Sequence, residues 1–231
     1  MITTASRPQN LGDACIAEAL RVIESQGIEH LSLREVARRL RVSHQAPYKH
    51  FPSRDHLVVE VIRRCFNNLT AALRGRAIAV DPLSDLHAVG RAYLQFARSH
   101  PVEYRLMFST PWPDAQAHAD LIRDARYAFE VLRESLAHLY QSEAPGQLAH
   151  VPESLDQDAI FIWSSMHGLA SIMESDCMAH LQLDPEVRLG VPDHVMLMID
   201  KAILSRKSPP SRDPGDHQSA VGAGAVGKLP E

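Results

Sequence analysis

Apolar residues recur at three- and four-residue spacing along most of the chain, and Gly and Pro fall between the periodic stretches rather than within them. That is the period of helices buried on one face, and few alternating β-branched runs compete with it. A first helix is predicted over 11–26, with Ala17, Leu20 and Ile23 on one face and Gly27 at its end. A second begins at the capping box Ser32-Leu33-Arg34-Glu35, where the serine oxygen takes a free amide and the glutamate reaches back. Its buried face is Leu33, Val36, Ala37 and Leu40. After the turn Arg41-Val42-Ser43, a short helix from His44 to His50, capped by Ser43, is stopped by Pro52 and Ser53. A fourth, over 54–76, carries Val58, Ile62, Cys65, Phe66, Leu69 and Leu73 and is long enough to link two modules.

Further helices are predicted over 84–99, 102–109, 115–141, 154–180 and 193–206. The 115–141 segment has a single apolar stripe, so its other face should be wet. From Ala159 to Met173 there is no charged residue, and apolar positions lie on opposite sides of the helix. Beyond Ser205 the chain is rich in Pro, Gly, Ala and Ser, the composition of a disordered tail. The expected fold is all-α, a three-helix unit in 1–55, a helical domain in 56–206 and a tail in 207–231.

Charge changes the picture because it is uneven. The net charge is −4, yet residues 1–64 hold 10 Lys and Arg against 7 Asp and Glu, while residues 65–231 hold 14 against 21. Only the N-terminal part suits a polyanion. Cys15, Cys65 and Cys177 sit among apolar helical residues without a CxxC pair, the pattern of reduced core thiols in a cytoplasmic protein. No apolar stretch is long enough to span a membrane. The 13 histidines show no H-x-x-x-H or H-x-x-C spacing, so neither a metal centre nor another cofactor is expected. Nucleophile elbows and phosphate-cradling glycine loops are absent too, which argues against an enzyme.

Two short helices joined by a tight turn have the layout of a helix-turn-helix, whose second helix must leave a polar face for the major groove. Here that face offers Ser43, His44, Gln45, Lys49 and His50, with no acidic residue between Glu35 and Asp55 to repel phosphates. The run from Gly27 through Leu31-Ser-Leu-Arg-Glu-Val-Ala-Arg-Arg-Leu40, Val42-Ser43, Tyr48-Lys-His-Phe51, Ser53-Arg54 and Leu57 resembles the DNA-binding domain of the TetR family. Trp163-Ser-Ser-Met-His167-Gly168 is similar to a Trp-His-Gly motif of one of its C-terminal subgroups.

The resemblance implies that Arg34 lies beside a base edge or phosphate, that Gln45 and Ala46 read bases, and that Tyr48, His50 and Arg54 hold phosphates. Lys49 adds charge to the same surface, whereas Arg38 and Arg39 read as a solvated face. Pro47 departs from the aliphatic residue usual in the family; it deletes the hydrogen bond to Ser43 and disfavours helical geometry at Ala46, so a bent or 3₁₀-like turn is expected there.

The same resemblance implies a homodimer on a palindromic double-stranded operator, released by a small-molecule effector. Candidate cavity residues are Tyr93, Phe96, Met107, Phe108, Tyr127, Trp163, Met166 and His167, whose apolar walls with scattered polar groups fit a largely apolar ligand. His167 reads equally as a core histidine. Ser164, Gly168, Ser171 and Ser175 form a stripe of small residues suited to a subunit contact, with Val195, Met198, Ile199 and Ala202 on a neighbouring helix. The rival readings are a ligand-independent DNA-binding protein of the same fold and an all-α small-molecule carrier.

Overall fold

The computed structural model describes residues 10–113, 118–143, 153–175 and 177–205. The tail expected over 207–231 and the start of the helix expected from 115 lie outside them, as does the Cys177 side chain. The described residues form nine α-helices and two 3₁₀ turns and contain no strand. The helices are α1 (Leu11–Gln26), α2 (Leu33–Arg39), α3 (Arg54–Arg74), α4 (Pro82–Ser99), α5 (Pro101–Phe108), α6 (Ala119–Glu143), α7 (Leu155–Glu174), α8 (Cys177–His180) and α9 (Pro185–Ser205).

Four of the starts have a side-chain cap as their local cause. Asn10, Ser32, Ser53 and Asp81 accept amides of the first turn of α1, α2, α3 and α4, supplying partners the helix itself lacks. Gly27 ends α1 at φ 91°, a conformation that favours glycine. The buried face of α1 is Cys15, Ile16, Ala19, Val22 and Ile23; Ala17 faces solvent, because the stripe is rotated toward α3 from the one expected. The stretch expected as one helix over 154–180 breaks at Ser175, whose backbone is extended, and α9 starts eight residues earlier than 193 because Pro192 is accommodated inside it.

A single hydrophobic core runs from α1 to α9, and α3 is its axis, burying Leu57, Val61, Ile62, Cys65, Phe66, Leu69 and Leu73. Buried side chains of this size contribute about 1.5–3 kcal/mol each, before the cost of ordering them. Cys15 and Cys65 are buried free thiols, and burial pushes both thiol pKa values up. Buried polar groups bind the helices to one another. Asp85 of α4 takes the Arg76 guanidinium and the Ser135 hydroxyl, and Asn68 of α3 donates to Glu103 of α5 at 2.8 Å. Among the described residues no helix is long and apolar enough to cross a membrane, and no cluster of His, Cys, Asp and Glu is arranged to hold a metal ion.

Candidate DNA-binding face and effector cavity

The turn after α2 is a Schellman motif. The Val42 amide donates to the Ala37 carbonyl at 3.0 Å and the Arg41 amide to the Arg38 carbonyl at 3.2 Å, which places Arg41 at φ 56°. The cap of α2 is half the expected box. Ser32 Oγ accepts the Glu35 amide at 3.1 Å, but the Glu35 carboxylate turns to Arg38 and Arg39 instead of reaching back. Charge-assisted pairs outcompete the neutral amide, and hydrogen bonds from Arg38 and then Arg39 hold the Glu35 pKa down at about 2.

The recognition segment over His44–His50 is not a regular α-helix but has the 3₁₀-like form expected of Pro47. Residues 44–46 form a turn and Pro47–Lys49 a 3₁₀ turn, with the Ala46 amide on the Ser43 carbonyl at 2.9 Å and the His50 amide on the Pro47 carbonyl at 2.9 Å. The proline accounts for this, since it removes the donor that would have bonded Ser43. Ala46 nonetheless stays in the right-handed helical region, against the preference of a residue before proline. Ser43 therefore contributes its carbonyl and not a side-chain cap. Pro47 is buried, filling the inward position, and Phe51 is buried beside it.

This geometry brings Ser43, His44, Gln45, Tyr48, Lys49 and His50 together at the surface, all exposed, with Arg34 exposed at the start of α2. The cations of the N-terminal unit divide in two. Arg21, Arg38, Arg39, Arg54, Arg63 and Arg64 are paired with carboxylates. Among the described residues, Arg34, Arg41 and Lys49 find neither a hydrogen bond nor an ion pair. Arg54, expected on a phosphate, is turned elsewhere: its guanidinium donates to the carbonyls of Leu31 at 3.0 Å and Ile28 at 2.7 Å, tying α3 to the loop before α2.

A cavity of about 180 Å³ lies among the helices that follow. α3 contributes Phe66, Leu69 and Leu73; α4 contributes Leu86, Val89, Gly90 and Tyr93; α6 contributes Ala125, Ala128, Phe129 and Leu132. Phe108, Trp112, Ile162, Trp163 and Met166 complete the wall. Of the residues expected there, Tyr93, Phe108, Trp163 and Met166 line it. Phe96 and Met107 are buried elsewhere in the core, Tyr127 is half-exposed, and His167 stands outside the lining. The α3 residues and Trp112 were missed because their spacing reads as ordinary core.

Behind Tyr93 is a polar cluster. The hydroxyls of Tyr93 and Tyr104 lie 2.9 and 2.7 Å from His167 Nδ1, and the Trp163 indole N–H points to the Tyr93 hydroxyl at 3.4 Å. Burial pushes both phenol pKa values up and the imidazole pKa down, so all three groups are held neutral.

On the outer side of α7, Ile160, Phe161, Ile172 and Met173 are exposed, and on α9 so are Leu197 and Met198. Ser164, Ser171 and Ser175 are exposed on that side, and a Cβ added to Gly168 would meet nothing within 4 Å. Val195 and Ala202 are half-buried. Ile199, expected at a subunit contact, is buried in the chain's own core.

A helix-turn-helix unit joined by a long shared helix to an all-α domain with an apolar cavity defines a class of DNA-binding regulators. Residues 16–61 match the bacterial regulatory proteins of the tetR family, and residues 86–189 match the tetracyclin repressor-like C-terminal domain. The chain belongs to the TetR family of transcriptional regulators. No curated protein matches it in sequence. Among solved structures it is similar to a protein of unknown function from Rhodococcus sp. RHA1, 22% identical, covering 88% of this chain and 98% of that one with a TM-score of 0.69. It is also similar to the TetR family transcriptional regulator PfmR from Thermus thermophilus, 17% identical over 82% and 97% of the two chains with a TM-score of 0.53. The fatty acid degradation regulator FadR from Bacillus halodurans is 12% identical over 81% and 93%, with a TM-score of 0.57. At these identities the likeness is one of fold.

Proposed function

We propose that the protein is a cytoplasmic homodimeric repressor, released from a palindromic operator when a small, largely apolar effector enters the cavity. Residues 1–55 hold the DNA through Arg34, Ser43, His44, Gln45, Tyr48, Lys49 and His50, and residues 56–206 sense and dimerise. The observation that carries this reading is the shared use of α3. Its first residue is hydrogen-bonded through the Leu31 and Ile28 carbonyls to the segment that leads into α2, and three turns on it walls the cavity with Phe66 and Leu69. A ligand that moves α3 moves the recognition segment. The cavity supports a sensor over a ligand-independent DNA-binding protein.

Two recognition segments on one face of DNA stand about one turn, roughly 34 Å, apart. Pairing the exposed faces of α7 and α9 across a two-fold axis would cover Phe161, Ile172 and Met198, which are costly to leave in water. A ligand releases DNA only if it favours a state in which that spacing no longer fits. Gel shifts against the DNA upstream of its own gene, in rising salt, test the reading. Specific binding that weakens steeply with salt is expected, and equal affinity for random DNA sinks it.

A further inference from the structure

We propose that the cavity takes a compact aromatic hydrocarbon, a benzene ring with a short alkyl substituent and no hydrogen-bonding group. The proposal rests on the cavity being the effector site and adds the chemistry of its occupant.

The size follows from the volume. A void of about 180 Å³ is slightly larger than the roughly 150 Å³ apolar cavity that takes up benzene in a protein core, so one ring with a short substituent fits. The wall contains no Asp, Glu, Lys, Arg or His among the described residues. An ion placed there would lose its water and gain no partner, so the occupant is uncharged.

The lack of a hydrogen-bonding group follows from where the polar atoms of the wall are engaged. Among the lining residues Tyr93, Trp112 and Trp163 alone carry a side-chain N or O. The Tyr93 hydroxyl lies 2.9 Å from His167 Nδ1, the Trp163 N–H points to the Tyr93 hydroxyl at 3.4 Å, and the Trp112 N–H donates to the Met107 carbonyl at 3.0 Å. His167 and Met107 both stand outside the lining, so these bonds run from the wall back into the protein. Among the described residues one buried side-chain polar atom lacks a partner, Thr70 Oγ1, and Thr70 is not part of the wall. A polar group on the occupant would give up its water with no donor or acceptor to replace it.

The aromatic ring follows from the rings of the wall. α3, α4, α5, α6 and α7 each contribute one, Phe66, Tyr93, Phe108, Phe129 and Trp163, and Trp112 adds another. Neighbours among them meet edge-on or tilted: Trp112 and Phe66 at 5.5 Å and 82°, Phe66 and Phe108 at 5.8 Å and 88°, Phe108 and Trp163 at 6.0 Å and 55°. Such pairs gain because the positive edge of one ring meets the negative face of the next. A guest ring of the same kind extends the array into the void. A saturated ring of the same size fills the space without that gain.

The protein reports its own occupancy, because its two tryptophans, Trp112 and Trp163, both line the cavity. Full-length protein is titrated with ethylbenzene, ethylcyclohexane, acetophenone and benzoate at pH 8 while tryptophan fluorescence is followed. Ethylbenzene is expected to bind at least about tenfold more tightly than acetophenone, whose carbonyl is desolvated without a partner, and benzoate to produce no saturable change. Each neutral probe's affinity is then divided by its partition coefficient from water into cyclohexane, a solvent that cannot hydrogen-bond. On that scale acetophenone should match ethylbenzene to within about threefold, less than the roughly fivefold of one neutral hydrogen bond. Ethylbenzene should exceed ethylcyclohexane by about two- to tenfold, the range of an aromatic pair. Ala128→Leu, which fills the void from α6, is expected to abolish the response, and Leu132→Ala, which enlarges it, to move the preference on that scale from ethylbenzene to butylbenzene. Acetophenone above ethylbenzene by more than about fivefold on the corrected scale, ethylcyclohexane level with ethylbenzene there, saturable binding of benzoate, a preference unmoved in Leu132→Ala, or no response to any probe overturns the proposal. Gel shifts without probe are independent of this: specific DNA binding beside a failed titration leaves the regulator standing with a different ligand class. Selective titration without specific DNA binding does the reverse.

Discussion

Arg63 of α3 and Asp124 of α6 are joined by a 2.8 Å hydrogen bond across 61 residues of sequence. The pair sits beside the end of the cavity wall, since Phe66 follows Arg63 by one turn and Ala125 is the next residue on α6. It clamps the two helices that a ligand would wedge apart.

Replacing Asp124 with Asn removes the charge and keeps the shape. Arg63 retains Glu60 at 2.8 Å, so it is not orphaned, and the loss should be that of one charge-assisted bond, about 1.5–3 kcal/mol. Urea denaturation measures it. A midpoint unchanged from the parent protein would mean that the clamp contributes nothing.

Arg41 offers a case in which stability and DNA binding should move in opposite directions. A left-handed conformation costs an L-residue about 1–2 kcal/mol, and glycine returns about 0.5–1 of that through its freer unfolded chain. Arg41→Gly should therefore stabilise by up to about 1 kcal/mol. Arg41 is also one of three unpaired cations beside the recognition segment, so operator affinity should fall and the salt slope drop by about one. Denaturation and gel shifts read the two effects separately. Unchanged affinity would place Arg41 off the DNA.

The helix-turn-helix was legible because its determinants are local. Ser32 caps within three residues, Val36 and Ala37 point inward by period, and Pro47 announces its own missing donor. What sequence does not show is competition settled in three dimensions. Glu35 has two arginines to choose over a backbone amide, and Arg54 finds carbonyls 23 and 26 residues away. The cavity was half legible for a related reason. Periodicity says that Phe96 and Phe66 both face inward, but only packing decides which of them borders empty space. The charge-free stretch 159–173 did foretell apolar residues on both faces of α7, and Phe161 and Ile172 are its exposed side.

His167 sets a pH window. Burial lowers its folded pKa below the ordinary 6.5, so the unfolded chain binds the proton more readily. The contribution of the neutral ring is complete above about pH 6.5 and is lost as pH falls through the folded value. Urea midpoints from about pH 8 to 5 should decline more steeply for the parent protein than for His167→Gln. Parallel curves would show that the ring does not titrate as described.

The face of α7 can be tested without DNA. Phe161 is 45% exposed and beside the open stripe at Gly168, so Phe161→Glu costs the isolated chain little while burying a charge in any subunit contact. Sedimentation is expected to show a dimer for the parent protein and a monomer for the variant. A dimer surviving the substitution would move the contact to another surface.

Gly90 sits in the middle of α4 against the cavity, and its replacement by Ala sets two effects against each other. Helix propensity favours Ala over Gly by about 0.8–1 kcal/mol. Opposing it, the new Cβ would stand 3.2 Å from the Met166 Cε and 3.7 Å from the Met196 Sδ. Both neighbours are ends of flexible thioether side chains, which shift by a few tenths of an ångström at low cost. Propensity should win, leaving Gly90→Ala more stable by a few tenths to about 1 kcal/mol. The displaced Met166 tip has the cavity to move into, so the space falls below its 180 Å³ and the largest ligands should bind less well. Denaturation paired with tryptophan titration checks both halves. A variant that is less stable than the parent would show that the α4–α7 contact is too rigid to yield, and unchanged ligand affinity would show that Met166 moves away from the cavity.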